Sequence, residues 1–211
     1  MSLLFSESPI LGVGVLSLLG VSIYTESSLA IGSSILLLLF MLYFYRYCPL
    51  EIVNIPDNEL ISPCEGTVLE IYNKYGYYYI PIFLSPLNRH TQVYPANCEV
   101  LDRKYDYTGE FAMVMNLSKS RNNEKKIHTL LLKNCALVQL TQIAGFLPRM
   151  IASSDLLQQY KAGEYLGMIK FGSRIDLLLP EIAPDGSCLS ISISKGQKLC
   201  IGQPIGQYLP Q

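Results

Sequence analysis

Histidines are scarce in this sequence, and paired cysteines are absent. Only His90 and His128 are present, and none of the six cysteines belongs to a C-x-x-C pair. The cysteines are scattered through apolar stretches, where they can act as small hydrophobic residues. A zinc site built from His and Cys would also need a ligand spacing that the chain lacks. We therefore expect reduced cysteines and no metal site.

An excess of either charge is also missing. The chain has 16 Lys and Arg residues against 17 Asp and Glu residues, which gives a net charge of -1 over 211 residues. A protein that binds nucleic acid by neutralising phosphates needs clustered positive charge. No such cluster is present, so no nucleic-acid partner is expected. A G-x-S-x-G motif is absent too, which excludes the nucleophile elbow of the α/β-hydrolases.

Charged residues are absent from two apolar runs near the start, residues 10–24 and 29–45. A helix needs about 20 residues to cross a bilayer, so each run is short for a full span. The pattern favours a helical hairpin that spans or dips into the membrane over a signal peptide or a buried core hairpin. Glu7 is the only charged residue in the nine residues before the first run, whereas a signal peptide begins with positive charge. Arg46 follows the second run, so we expect the rest of the chain to lie on the cytoplasmic face of the cell membrane.

The remainder has the pattern of a β protein. Short segments rich in Val, Ile, Tyr and Leu alternate with Pro, Gly and Asn. The predicted strands cover residues 67–72, 77–84, 111–117, 128–132, 136–143, 168–179, 188–193 and 204–208. One helix is predicted at residues 153–160, where Ser153, Ser154 and Asp155 supply N-cap chemistry.

The predicted fold class is therefore mainly β. We expect a compact β-rich soluble domain with few short helices, preceded by an N-terminal hydrophobic helical hairpin. The hairpin covers residues 1–46 and the soluble domain residues 47–211. This organisation agrees with the usual domain size of about 100–200 residues.

Four places could carry chemistry, and each also has a structural interpretation. Glu65 lies in an apparent turn, where a solvated carboxylate is ordinary. His90 follows an apolar strand on a loop, where binding and catalytic groups concentrate. His128 has the character of a strand-edge residue. The pair Gly172-Ser173 interrupts an apolar run, as glycine does at a bulge or a close backbone approach.

Taken together and in order, several segments resemble the phosphatidylserine decarboxylase family, especially its short prokaryotic-type members with an N-terminal hairpin. The segments are the hairpin with Tyr45-Arg46, Ser62-Pro63-Cys64-Glu65-Gly66, Phe83-Leu84-Ser85 with His90 and Pro95, Asn123-Glu124-Lys125, Gln142-Ile143-Ala144-Gly145, Arg149-Met150-Ile151 and GMIKFGSRID at 167–176. The resemblance covers nearly the whole chain. Its last segment is the most specific, because it contains the self-cleavage point of the family.

The resemblance implies that the chain makes its own cofactor. The hydroxyl of Ser173 would attack the carbonyl of Gly172, and ester formation, β-elimination and hydrolysis would leave a covalent pyruvoyl group at position 173. The products would be a β chain of residues 1–172 and an α chain of residues 173–211. A serine hydroxyl needs a base within hydrogen-bond reach and a third group to orient that base. His90 is the predicted base and Glu65 the predicted orienting group.

The implied reaction is the decarboxylation of membrane phosphatidylserine to phosphatidylethanolamine. The substrate amine would form a Schiff base with the pyruvoyl carbonyl, which then accepts the electrons released with CO₂. His90 would return a proton to the carbanion. Arg89, Lys170 or Arg174 would meet the lipid phosphate or carboxylate. Resemblance also suggests a homodimer of cleaved protomers.

The sequence departs from the family pattern at several positions. Glu65 stands where aspartate is usual, and its extra methylene moves the oxygens by about 1.5 Å. Slower self-cleavage than an aspartate would give is therefore predicted. Asn88 replaces a frequent acidic residue, and Val93, which cannot titrate, replaces a basic residue or histidine. Lys125 and Lys170 replace frequent arginines, keeping the charge but losing the planar fork.

Three alternatives compete with this interpretation. A cleavage-deficient relative could bind lipid headgroups or a protein partner at the membrane. A pyruvoyl enzyme could act on free amino acids instead of a lipid, although the hairpin favours lipid. A small β-rich membrane protein without catalysis would require the collinear resemblance to be accidental.

Overall fold

The structure is a computed structural model that describes residues 3–47, 49, 54–107, 112–145, 151–153, 158–170 and 173–210. Contacts within the chain divide it into two compact units, Met1–Pro49 and Leu50–Gln211.

The first unit is helical. Its helices are α1 (Leu4–Glu7), α2 (Pro9–Tyr24) and α3 (Ser28–Phe44). Pro9 suits the first turn of α2, where a backbone N–H has no helical partner. Ser27 caps α3, since its Oγ accepts a hydrogen bond from the backbone N of Ala30 at 3.4 Å. The predicted N-terminal hydrophobic helical hairpin is confirmed.

Two serines join the helices of this hairpin. Oγ of Ser22 in α2 lies 2.9 Å from Oγ of Ser34 in α3, and both side chains are buried. Neither helix contains a charged residue. With 16 residues in α2 and 17 in α3, no helix in the described part of the chain is long and apolar enough to cross a membrane.

The regular elements described in the second unit are almost all strands. They are β1 (Glu59–Ile61), β2 (Gly66–Val68), β3 (Tyr72–Lys74), β4 (Tyr77–Leu84), β5 (Thr91–Val93), β6 (Cys98–Asp106), β7 (Lys125–Leu132), β8 (Leu137–Ile143), β9 (Ile151–Ser153), β10 (Gln159–Tyr160), β11 (Tyr165–Ile169), β12 (Ser173–Pro180), β13 (Cys188–Ile191), β14 (Lys198–Leu199) and β15 (Pro204–Leu209). A short 3-10 helix covers Lys119–Asn122. The predicted mainly β fold is confirmed.

The strands in the described part of the chain form three antiparallel sheets. The main sheet has the order β10-β6-β7-β8-β12-β4-β2-β14, with β3 also paired to β4. Two smaller sheets have the orders β1-β15-β13 and β5-β11-β9. Alternate side chains of the central strands, such as Ile80, Leu84, Leu140, Ile175 and Leu177, build the hydrophobic core. Their burial is the main favourable term in folding.

Several strand predictions match the structure closely. Residues 77–84 coincide with β4, and residues 136–143 extend β8 by one residue. Residues 128–132 lie within β7, while 188–193 and 204–208 overlap β13 and β15. The period-two pattern and the flanking turn residues located these strands.

Other predictions are wrong. Residues 153–160 are not one helix, because Ser153 ends β9, which pairs with β11, and Tyr160 belongs to β10, which pairs with β6. Residues 154–157 lie outside the described residues. The strand predicted at 111–117 is a turn over 112–117, where Oδ1 of Asn116 accepts from the backbone N of Lys119 at 3.1 Å. Such local bonds compete with strand pairing.

Two predicted strands are each divided in the structure. Residues 168–179 belong to β11 and β12, which lie in different sheets and are separated by residues 170–172. The range predicted as one strand at residues 67–72 includes the end of β2 and the first residue of β3. Separate pairing partners explain the first division, since β11 pairs with β5 and β9 whereas β12 pairs with β4 and β8. In the second, β2 and β3 pair with different parts of the same strand, β4.

Candidate active site

Ser173 lies at the first position of β12, opposite Leu84 of β4. Its side chain is fully buried. The hydroxyl donates to the backbone carbonyl of Ile169 at 3.5 Å, a long contact for an O–H group. Phe171 and Gly172 lie outside the described residues.

His90 ends the segment that connects β4 to β5, and it is also fully buried. Its Nδ1 lies 2.9 Å from the backbone carbonyl of Asn88. A carbonyl can only accept, so Nδ1 carries the proton, and the lone pair of the neutral ring is on Nε2. This tautomer makes Nε2 the basic atom of His90.

Ile169, the last residue of β11, connects His90 with Ser173. Its backbone N donates to the carbonyl of His90 at 3.3 Å, and its own carbonyl accepts from the Ser173 hydroxyl. Because β5 pairs with β11, the chain directly after His90 is held along the strand that precedes Ser173. The predicted base and the predicted nucleophile are thus brought to the same residue of the main chain.

Glu65 contacts the segment that carries His90. Its carboxylate accepts from Nδ2 of Asn88 and Nε of Arg89, both at 2.9 Å, and from the backbone N of Arg89 at 3.4 Å. Partial burial raises the pKa of Glu65, but the bonds from Asn88 and Arg89 outweigh this effect and hold the pKa below its usual value. The link from Glu65 to the ring of His90 therefore runs through Asn88.

Gly66, the residue after Glu65, permits a close approach of β2 to β4. A Cβ at this position would lie 2.5 Å from the carbonyl oxygen of Phe83. A glycine is therefore required where the Glu65 turn enters the main sheet.

Arg174 is almost completely buried and is held by three partners. It pairs with Asp176 through Nε at 2.7 Å and Nη2 at 2.9 Å. Its Nη1 donates to the carbonyl of Val114 at 2.7 Å and to Oγ of Ser120. The hydroxyl of Tyr79 also bonds to Asp176. Arg174 therefore joins the start of β12 to the segment at 114–120.

The other two predicted headgroup ligands differ in their surroundings. Arg89 is paired with Glu65 and is partly exposed. Lys170 follows Ile169 directly and is buried. Within the described ranges, no group of three or more His, Cys, Asp or Glu residues could hold a metal ion.

A buried polar cluster that the sequence does not predict lies beside this site. His128 was interpreted as a strand-edge residue, but it lies inside β7 and is fully buried. It contacts Gln142 of β8, which in turn contacts Gln92 of β5. Glutamines at inward positions of otherwise apolar strands were the one available signal, since buried polar side chains need partners.

A cavity of about 740 Å³ lies at the other end of the main sheet. Cys98, Leu132 and Tyr160 line it, near the end of β7 that is remote from Lys125. Ser173 is at the opposite end, because Arg174 pairs with Ile143 and Ile143 pairs with Lys125. This cavity is therefore separate from the candidate active site.

Comparison with known proteins identifies the family. The sequence profile described as phosphatidylserine decarboxylase matches residues 37–207. The phosphatidylserine decarboxylase proenzyme of Prosthecochloris aestuarii is 32% identical over 187 residues, covering 84% of this chain and 81% of that protein. The chain belongs to the phosphatidylserine decarboxylase family, as its motifs predict.

Two further relatives are similar over most of the chain. The phosphatidylserine decarboxylase proenzyme of Cytophaga hutchinsonii is 34% identical over 155 residues, 70% of each protein. A putative archaetidylserine decarboxylase proenzyme of Methanosarcina acetivorans is 30% identical over 168 residues, 79% of this chain and 74% of that protein. No solved structure matches the chain significantly.

Proposed function

We propose that this chain is a self-cleaving phosphatidylserine decarboxylase that converts phosphatidylserine to phosphatidylethanolamine with a pyruvoyl group derived from Ser173. One observation carries the proposal beyond family membership. The backbone of Ile169 contacts both the His90 segment and the Ser173 hydroxyl, so a base and a nucleophile share one anchor. Both side chains are fully buried, in a site away from bulk water.

Self-cleavage begins with Ser173. Its hydroxyl gives a proton to Nε2 of His90 and attacks the carbonyl carbon of Gly172. The C–N bond breaks as the ester C–O bond forms, and His90 returns the proton to the nitrogen of residue 173, which becomes a free amine. Loss of the Cα proton then breaks the Cβ–O bond and releases Gly172 as a carboxylate. Water replaces the nitrogen of the resulting dehydroalanine, ammonia leaves, and a keto group remains.

The surroundings of Ser173 suit such a keto group. The position is fully buried opposite Leu84, which would shield the carbonyl from bulk water. A pyruvoyl group at this position would supply a carbonyl able to bind an amine and to accept an electron pair. His90, with its ring fixed through Asn88, would return a proton to the substrate carbon.

The three basic residues are proposed to have different roles. Arg89 and Arg174 each pair with a carboxylate, so we assign them to positioning the backbone of the site. Lys170 is the proposed cation for the lipid headgroup, because it directly follows Ile169. Glu65 is a positioning residue that holds Asn88 and Arg89, and through them His90.

The N-terminal hairpin is the proposed membrane anchor. Ile10, Leu29 and Leu36 are exposed on its helices, and an apolar surface of this kind favours a lipid environment. Residues 1–46 would anchor the chain at the cytoplasmic face of the cell membrane, and residues 47–211 would form the catalytic domain. The acyl chains of the substrate would then remain in the bilayer while its headgroup reaches Ser173.

Mass spectrometry of the purified protein tests self-cleavage. We expect a fragment of residues 173–211 whose first residue bears a ketone and no amine, with the rest of the chain as its partner. Ser173→Ala and His90→Ala should leave one chain near 23.6 kDa. Ser190→Ala, which alters an exposed serine of β13, should cleave as the wild type does.

A decarboxylation assay tests the substrate. Vesicles containing phosphatidylserine should release CO₂ with the cleaved wild-type protein and not with Ser173→Ala, whereas free serine should be a poor substrate. An unbroken wild-type chain would favour the alternative, a cleavage-deficient family member that binds headgroups or a protein. Native mass spectrometry in detergent would report the proposed homodimer.

A further inference from the structure

Buried polar side chains form a continuous hydrogen-bonded chain that ends on the main chain of His90. Nε2 of His128 lies 2.9 Å from Oε1 of Gln142. Nε2 of Gln142 donates to Oε1 of Gln92 at 2.9 Å, and Nε2 of Gln92 donates to the carbonyl oxygen of His90. All four residues are fully buried.

The His90 carbonyl determines which atom donates and which accepts in each of these hydrogen bonds. The His90 carbonyl can only accept, so Gln92 must turn its NH₂ group toward it and its Oε1 toward Gln142. Gln142 must then turn its own NH₂ toward Gln92 and its Oε1 toward His128. His128 must therefore donate from Nε2. One carbonyl thus determines the orientation of two amides and the donor atom of an imidazole.

This row of hydrogen-bonded side chains connects two sheets. His128 and Gln142 come from β7 and β8 of the main sheet, whereas Gln92 comes from β5 of the smaller β5-β11-β9 sheet. The His90 carbonyl receives Nε2 of Gln92 and the backbone N of Ile169. Both donors act on the same peptide group, so they fix where the His90 backbone lies relative to β11 and Ser173.

We propose that Gln92, Gln142 and His128 are positioning residues that hold His90 for self-cleavage. This inference rests on the proposed function. None of the three touches the reacting atoms in the described contacts. They would act by setting the position of Nε2 of His90 relative to the Ser173 hydroxyl. Displacement of a reacting group by about 1 Å can slow a reaction on the order of a hundredfold.

The test measures the first-order rate of cleavage of the full-length chain after cell-free synthesis. Gln92→Met keeps the approximate shape and removes the bond to the His90 carbonyl, so we expect cleavage to slow by about tenfold or more. His128→Leu and His128→Gln form a matched pair. The glutamine keeps an N–H donor for Gln142, so His128→Gln should stay within about threefold of the wild type, while His128→Leu should slow.

A remote variant separates positioning from general loss of stability. Tyr208→Phe removes a buried 2.8 Å bond to the carbonyl of Pro180, at the end of β12 away from Ser173. It should lower the melting temperature, measured in a Ser173→Ala background, without changing the cleavage rate. If Gln92→Met does not fold, the His128 pair decides alone.

The possible results distinguish failure of the proposed function from failure of the positioning inference. If the wild type does not cleave, the proposed function fails. If it cleaves and the folded Gln92→Met and His128→Leu proteins cleave at the wild-type rate, the positioning inference is overturned and the proposed function stands. Equal slowing in His128→Gln and His128→Leu would also overturn the inference, because the N–H donor would not be what matters.

Discussion

Arg89 directly precedes the buried His90, and its Nε donates a 2.9 Å hydrogen bond to Oε2 of Glu65. The side chains are 22% and 24% exposed, so water screens this ion pair in part. With Asn88 bonded to the other oxygen, the carboxylate holds two consecutive residues of the loop. Glu65 therefore fixes the loop and reaches the imidazole only through it.

The first prediction concerns the pH dependence of stability. Because the folded state lowers the pKa of Glu65, its contribution to stability is present above the pKa of the unfolded chain and is lost as pH falls through the lower folded value. Glu65→Gln should thus cost about 1 kcal/mol or less at pH 7, and the cost should vanish in acid. Melting temperatures across this pH range, in a Ser173→Ala background, measure the difference.

Glu70→Gln is the matched control for this measurement. Glu70 pairs with Lys195 at 2.9 Å, but those side chains are 38% and 66% exposed. Its loss should be close to neutral at every pH. A cost for Glu65→Gln that persists unchanged in acid would contradict the prediction.

The second prediction reverses an expectation from the sequence. The family pattern alone predicts faster self-cleavage in Glu65→Asp. In the structure, however, the longer side chain is what reaches Asn88 and Arg89 at 2.9 Å. Aspartate would withdraw the oxygens by about 1.5 Å and break these bonds. We expect cleavage to slow by roughly tenfold to a hundredfold, read as the cleaved fraction on a gel over time.

Glu70→Asp should leave that cleavage rate unchanged, since Glu70 contacts Lys195 and not the His90 loop. Faster cleavage in Glu65→Asp would show that an aspartate can replace these contacts, and that the family pattern is the better guide.

The third prediction concerns the buried pair of Arg174 and Asp176. Arg174→Met leaves a buried carboxylate without its guanidinium and should cost about 3–5 kcal/mol in the free energy of unfolding. Adding Asp176→Leu removes the orphaned charge and should recover much of that loss. Denaturant unfolding in a Ser173→Ala background measures both, because a single unbroken chain then unfolds.

Lys195→Met breaks an exposed ion pair and serves as the control, with an expected cost below about 1 kcal/mol. If Arg174→Met were no more costly than Lys195→Met, the guanidinium would not be a structural element. Its assignment to the lipid headgroup would then regain support.

The fourth prediction is that the two proposed fragments remain associated after cleavage. In the main sheet β12 lies between β4 and β8, and β14 pairs with β2. In a smaller sheet, β15 pairs with β1. Every one of these pairs joins residues 173–211 to earlier residues. Native mass spectrometry should therefore show one complex, and only denaturant should separate it. Separation in mild detergent alone would contradict this.

The sequence predicted those parts of the fold that have a local signal. The strand at Tyr77–Leu84 is bounded by a Tyr75-Gly76 turn, in which both residues have positive φ. In contrast, β6 escaped prediction because Asp102, Arg103 and Lys104 give it a charged pattern. Its strand state comes from pairing with β7, which is a tertiary effect that overrides local preference.

The residue types proposed for the site come from motifs in the sequence, whereas the contacts among them do not. Ser173, His90 and Glu65 carry recognisable motifs, but the intermediates Asn88 and Ile169 have no chemical signature in the sequence. The buried hydrogen bond between Gln92 and Gln142 joins residues 50 positions apart in the sequence. Such a connection depends on the register between two sheets, which no window of sequence contains.

The beginning of β12 at Ser173 has a consequence for how a protein can sever itself. The proposed scission falls just outside the ladder, whose first rung joins Ser173 to Leu84. No rung of β12 would have to be given up if the proposed bond breaks. The proposed new terminus at Ser173 pairs with Leu84, and the next residue, Arg174, pairs with strands on both sides, so cleavage would leave β12 in place within the sheet.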